Sequence, residues 1–299
     1  MYKILFTRYI TQHVMITFSR LLLGTGLSII CYNSYCMLKP PALNVSEFLA
    51  TTTATSTKPR VLLLGDSIFA GSIGQSWIPE IRTQHSDKEL INGGINGELA
   101  WNIRNRVDAA VLAVKPDVVV LMVGTNDAMG SFRDGYLTGG DLYVALLGAP
   151  QKPTVEWHQE NLKAVLQKLH DHGIQHRAVL TIPPLGEVRD SNANKHVSAI
   201  NANVKKVAEE TDTTVLDFNK AIWEEIDRLG GASSDTQEFT GIDLWAQTFG
   251  SALHNVFGWN WNDVGKYNNH LHMLVDNCHL SIRGADVLSS VVSEYLSLR

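Results

Sequence analysis

Five residues spread through this chain have the types that nucleophilic catalysis requires: Ser67, Gly97, Asn126, Asp276 and His279. A serine hydroxyl is a weak nucleophile at neutral pH and needs a base to take its proton. That base is normally a histidine oriented by a carboxylate. Asp276 and His279 stand three residues apart, so one turn of backbone can bring the carboxylate to the imidazole. Attack on a carbonyl creates an oxyanion, which needs hydrogen-bond donors aimed at it. The backbone N–H of Ser67, that of Gly97 and the side-chain amide of Asn126 can supply them. A glycine also lets a substrate come close to the backbone.

Each residue has a plainer reading beside that one. Gly65-Asp66-Ser67 is also a common turn sequence. Asn126 and its neighbour Asp127 suit a turn, as Asp66 does. Cys278, between Asp276 and His279, reads as a packed thiol. Two histidine sets invite a metal reading: His270, His272 and His279, and His170, His172 and His176. Neither has ligand spacing backed by carboxylates, so no metal is expected.

The elements that would carry these residues alternate. Val61–Leu64 is apolar throughout, as a strand covered on both faces should be. Further strands are expected at 89–92, 118–123, 177–182 and 213–216. Helical spacing runs over 76–84, 99–114, 194–211, 220–229 and 283–298, with a long helix opened by Pro153 and stopped by Gly173. The glycine-rich stretch 131–153 reads as irregular. The pattern implies an α/β domain, a three-layer α/β/α sandwich around about five parallel strands. Such a sheet places reactive groups at the carboxyl ends of its strands. Gly65-Asp66-Ser67, Asn92 to Gly97, Gly124 to Asp127 and Pro183 to Glu187 each follow a strand, and Asp276 to His279 precedes the last helix.

The 299 residues are 44% hydrophobic and 18% charged, with a net charge of −5. Basic residues form no run, so no nucleic-acid partner is expected. Residues 1–38 read as a signal-peptide-like or membrane-anchor segment. Lys3, Arg8 and Arg20 accompany apolar stretches, and no acidic residue precedes Glu47. The cleanest apolar run, 21–32, falls short of the roughly 20 residues a membrane helix needs. Cys31 and Cys36 could pair in an exported chain or stay free. Residues 39–59, with their Thr/Ser-rich run, read as a linker, and 60–299 as the catalytic domain. Asn44-Val45-Ser46 fits the glycosylation pattern. Residues 244–267 hold Trp245, Phe249, Phe257, Trp259, Trp261 and Tyr267, either a wall of the site or the core of a helical insertion.

Taken in order, four of these segments resemble the blocks of the SGNH hydrolase superfamily, the GDSL esterases and lipases. Gly65-Asp66-Ser67 matches the first, with Ile68 in place of the usual leucine. Asn92 to Gly97 matches the second, which places the oxyanion glycine at Gly97 and not at Gly93 or Gly94. Gly124 to Asp127 matches the third and Asp276 to His279 the last. The resemblance covers roughly residues 60–299. It implies a flavodoxin-like sandwich without metal or cofactor, with Ser67, Asp276 and His279 catalytic and Ser67, Gly97 and Asn126 forming the oxyanion hole. The expected activity is that of a serine esterase working through an acyl-enzyme on short acyl or acetyl esters. An O-acyltransferase acting on an extracytoplasmic glycan with the same site is the alternative, and a non-catalytic binding module the third reading. The expected substrate is a small-molecule, glycan or lipid ester. The expected location is secreted, periplasmic or anchored facing outward, with membrane association through the N-terminal segment.

Overall fold

The computed structural model describes residues 28–51, 57–133, 139–241 and 244–299. In chain order these form a helix over residues 28–38 (α1) and a second helix, α2 (Val45–Thr51), then β1 (Arg60–Gly65), α3 (Ser67–Ala70), α4 (Ile78–Gln84), β2 (Glu89–Gly94), α5 (Ala100–Val114) and β3 (Val118–Met122). There follow α6 (Thr125–Phe132), α7 (Gly140–Leu147), α8 (Val155–Asp171), β4 (His176–Leu180), α9 (Asn192–Glu210), β5 (Thr214–Leu216), α10 (Phe218–Arg228), α11 (Leu244–Asn255), α12 (Trp261–Asn269) and α13 (Ile282–Ser297).

The five strands make one sheet in the order β2-β1-β3-β4-β5, with every neighbouring pair parallel. This is the three-layer sandwich expected from the apolar strands, in the flavodoxin-like form that the resemblance implies. Alternate strand residues feed two cores. Val61, Leu63, Val118, Val120, Ala178 and Leu180 point into one, which α4, α10 and α13 close. Leu62, Leu64, Val119, Leu121 and Val179 point into the other, against α5 and α8. Each fully buried valine or leucine among these contributes about 1.5–3 kcal/mol. Burial on both faces is why the strands lack polar alternation. The order reverses between β1 and β3, so their carboxyl ends flank the crevice where open sheets hold ligands.

Two regions differ from the sequence reading. The stretch expected to be irregular holds the end of α6 and all of α7. Gly140 there serves close packing, since a Cβ on it would lie 2.6 Å from the Gly130 carbonyl, whereas Gly148, at φ +63°, ends α7 in open space. Within the stretch expected as a linker over 39–59, residues 39–51 pack on the domain. Leu43 accepts the Asn92 N–H at 2.9 Å, Asn44 bridges to Asn92, and Phe48 is buried in the α5 core. Together they cover the exposed edge of β2, which would otherwise present unpaired backbone groups. Asn44 accepts the Glu47 N–H at 3.0 Å and so caps α2. Residues 52–56 lie outside the described set.

Of the segment expected as a leader or anchor, residues 1–27 lie outside the described residues. Residues 28–38 dock on the domain through Asn33, which donates to the Thr248 carbonyl at 3.0 Å and accepts from Asn255 at 2.9 Å. Cys31 and Cys36, both on α1, are free thiols. Among the described residues no helix is long and apolar enough to cross a membrane.

Candidate active site

Ser67 begins α3, directly after the carboxyl end of β1. Asp66 caps the helix by accepting the Ile68 N–H at 3.0 Å. Burial, partly offset by that N–H and by His279, pushes the Asp66 carboxyl up to about 6. The Trp77 indole donates to the Ile68 carbonyl at 3.3 Å, and its ring meets Phe69 edge-on at 4.9 Å. The turn that presents the serine is therefore pinned from its own side chain and from beneath.

The histidine and its acid arrive together on a tight loop. Val275 donates its N–H to the His279 carbonyl at 2.8 Å, which closes the loop. Asp276 Oδ1 accepts the N–H groups of Cys278 and His279 at 3.1 and 2.7 Å. Its Oδ2 lies 2.7 Å from His279 Nδ1, and His279 Nε2 lies 2.9 Å from Ser67 Oγ. All three side chains are buried, with Ser67 retaining 7% exposure. Burial opposes the imidazolium, but the charge and hydrogen bond of Asp276 outweigh it and raise the His279 pKa above its ordinary value. The same pairing holds the Asp276 carboxyl below its usual range against the burial that would raise it. An imidazole oriented in this way can take the Ser67 proton and hold it.

Close backbone contact brings this loop to the serine. Gln75, shortly after α3, donates its N–H to the Leu280 carbonyl at 2.8 Å. Gly74 makes that approach possible: its φ is +76°, and a Cβ there would sit 2.6 Å from the Leu280 oxygen.

The two residues expected as oxyanion donors follow β2 and β3, the strands on either side of β1. Asn126 is in the first turn of α6, after β3. Its Nδ2 donates to the Glu98 carbonyl at 3.0 Å and its Oδ1 accepts from the Tyr143 hydroxyl at 3.0 Å. An amide nitrogen has two hydrogens, so one remains for a ligand. Gly97, in the loop after β2, has φ +79°, and the space over its Cα is open as far as a Leu147 methyl at 3.9 Å. Asp127 accepts the Ala100 N–H at 3.1 Å, and burial pushes its carboxyl up to about 7. Asn126 and Asp127 therefore grip the 97–100 loop at two points. Gly93 and Gly94 lie inside β2, away from this role.

Several residues that support the site were not singled out from sequence. Arg106 holds Glu98 through both carboxylate oxygens, with its Nε 2.8 Å from each, and also reaches the Gly93 carbonyl at 2.7 Å. Glu187 is fully buried and accepts three consecutive N–H groups, of His272, Met273 and Leu274, at 2.7–3.1 Å. It thereby fixes the run that leads into Asp276. A glutamate three residues after a Pro-Pro pair at a strand end is the signal that could have found it. Tyr143 had no such signal.

The aromatic segment divides. Trp261 is buried, stacks on His254 at 4.1 Å and joins Leu253, Val264 and Val275 in a small core behind the Asp276 loop. Asn268 donates to the Val275 carbonyl at 2.7 Å. Phe257, Trp259 and Tyr267 are exposed, and the Trp245 side chain lies outside the described set. Cys278 is buried among core residues. His172 pairs with Asp108 at 2.9 Å and His170 with Asp171 at 3.4 Å.

Known proteins share this framework. The model of the GDSL-like lipase/acylhydrolase family matches residues 63–272, taking in Ser67, Gly97 and Asn126 and ending before Asp276. An arylesterase of Vibrio mimicus is 30% identical over 103 residues, 32% of this chain and 52% of that protein. A Bacillus subtilis (strain 168) protein named uncharacterized lipoprotein YqeF is 28% identical over 148 residues, 46% of this chain and 52% of that one. The chain thus spans about half the length of the curated relatives it matches. A lipase/acylhydrolase from Enterococcus faecalis superposes with a TM-score of 0.52 at 18% identity, covering 81% of this chain and 96% of that one. An acetylxylan esterase from Geobacillus stearothermophilus gives 0.52 at 15% identity, covering 83% and 98%. At those identities the structures share the fold.

Proposed function

Because this chain belongs to the GDSL-like lipase/acylhydrolase family, we propose that it is a serine esterase that cleaves carboxylic esters through an acyl-enzyme on Ser67. The observation that carries the proposal is the continuous hydrogen-bonded line from Asp276 through His279 to Ser67, at 2.7 and 2.9 Å, at the end of a strand whose two neighbours, β2 and β3, lead into Gly97 and Asn126. His279 takes the Ser67 proton as Oγ attacks the ester carbonyl. The N–H groups of Ser67 and Gly97 and the free Asn126 hydrogen meet the oxyanion. His279 then gives the proton to the leaving alcohol, and a water activated by the same imidazole releases the acid.

The acyl group in this proposal is short. What supports this is that relatives include an arylesterase and, by fold, an acetylxylan esterase. The basic, acid-free N-terminal stretch and a relative named as a lipoprotein support a place outside the cytoplasm, secreted or anchored. A panel of p-nitrophenyl esters from acetyl to decanoyl tests the activity and the chain length. Hydrolysis should be fastest on the shortest acyl groups and vanish in Ser67→Ala. Unchanged turnover in that variant would refute the serine mechanism.

A further inference from the structure

An asparagine amide can sit either way round in its pocket, and only one way turns a donor toward an oxyanion. At Asn126 the surroundings choose. The Glu98 carbonyl can only accept, so the nitrogen faces it at 3.0 Å. At the other end a hydroxyl, that of Tyr143, stands 3.0 Å from Oδ1. Both residues are buried, Tyr143 at 4% exposure and Asn126 at 5%. Burial, and after it the neighbouring Cys278, Asp127 and Asp66, push the Tyr143 phenol well above its ordinary range. The hydroxyl therefore keeps its proton at any working pH and donates it.

Tyr143 reaches this position from α7, the helix that packs on α6 through Gly140 and Gly130. Its ring is wedged against Leu99 and Ala149 in a cluster that Leu147 and Trp157 flank. A phenylalanine would fill the same volume, and the hydroxyl alone contacts the amide. We infer that Tyr143 is a positioning residue for the oxyanion hole: it fixes the rotation of the Asn126 amide, so that the second Nδ2 hydrogen points at the oxyanion that develops beside Ser67. This rests on the oxyanion role proposed for Asn126. On this account the helix with no motif of its own sets the geometry of a donor that the motif supplies.

The test is a double-mutant cycle read on p-nitrophenyl acetate. Asn126→Ala should lower kcat by about 10²–10³-fold. Tyr143→Phe should lower kcat by about 3–10-fold, the range of one neutral hydrogen bond, and leave KM within about twofold. The affinity of an alkylboronic acid, which forms a tetrahedral adduct on Ser67, should fall by the same factor as kcat. The double variant should match Asn126→Ala within about twofold, because a hydroxyl that acts only through the amide has nothing left to orient. The acid limb of the pH profile should stay in place in all variants. Wild-type kcat in Tyr143→Phe beside a crippled Asn126→Ala would overturn the positioning role alone. So would a double variant that loses the full product of the two effects. Wild-type kcat in Asn126→Ala would overturn the oxyanion reading itself.

Discussion

The two walls of the crevice are built differently. On one side, Asp276 and His279 sit three residues apart on a loop that closes on itself, and only Ser67 comes from elsewhere in the chain. On the other side, the donors depend on three separate pieces: the 95–98 loop after β2, the first turn of α6, and Tyr143 on α7. The acid–base wall is a local structure that carries its own orientation. The oxyanion wall is an assembly in which each piece is held by another, with Arg106 and Glu98 at its base. Damage to the first wall should therefore change the protonation chemistry, and damage to the second the stabilisation of charge on the substrate.

That contrast can be broken from the acid–base side first. Asp276→Asn should lower kcat by about 10⁴-fold, since the amide no longer orients the imidazole or stabilises its charge. A loss under about tenfold would show that His279 is oriented by something else. Asn126→Ala should cost about 10²–10³-fold with an unchanged pH midpoint. A shifted midpoint would mean that the two walls are not separate.

Gly97→Ala should cost roughly tenfold in kcat/KM, because its φ of +79° disfavours a side chain and the added methyl enters the open space beside Leu147. Thermal unfolding should show a loss of about 1 kcal/mol from the same strain. Wild-type kcat/KM in that variant would remove Gly97 from the wall.

The smallest effect is on pH. His279 must be neutral to act as base, and its pKa is raised by Asp276 against burial. Activity should rise with pH through a midpoint above the ordinary histidine value of about 6.5. In Asp276→Asn the residual activity should keep an acid limb moved to lower pH, since burial is then opposed only by the smaller pull of Asp66. The stability that the imidazolium–carboxylate pair contributes should be full below about 6.5 and fade as pH rises through the folded-state value.

The same difference explains what could be read in advance. The sheet announced itself through runs such as Val61–Leu64 and 118–122, whose burial on both faces leaves no polar alternation. Asp276 and His279 could be paired because three residues separate them, and Ser67, Gly97 and Asn126 stand out at strand ends, while their assignment to one site came from the resemblance of the four blocks. Tyr143 was not. Its segment is rich in glycines that read as flexibility, whereas Gly140 is small because α7 meets the α6 backbone there, at the Gly130 carbonyl. The ordered part of 39–51 was hidden for the opposite reason. A threonine-rich tail dominated its composition, while Leu43, Asn44 and Phe48 were doing the work of an edge cover through contacts made only in the folded chain.

The most direct measurement is covalent labelling by a fluorophosphonate probe, with the modified residue located by mass spectrometry. The account predicts a single adduct on Ser67, formed at a rate that falls by orders of magnitude in His279→Ala and is absent in Ser67→Ala. Labelling at another residue, or none on the folded protein, would contradict it.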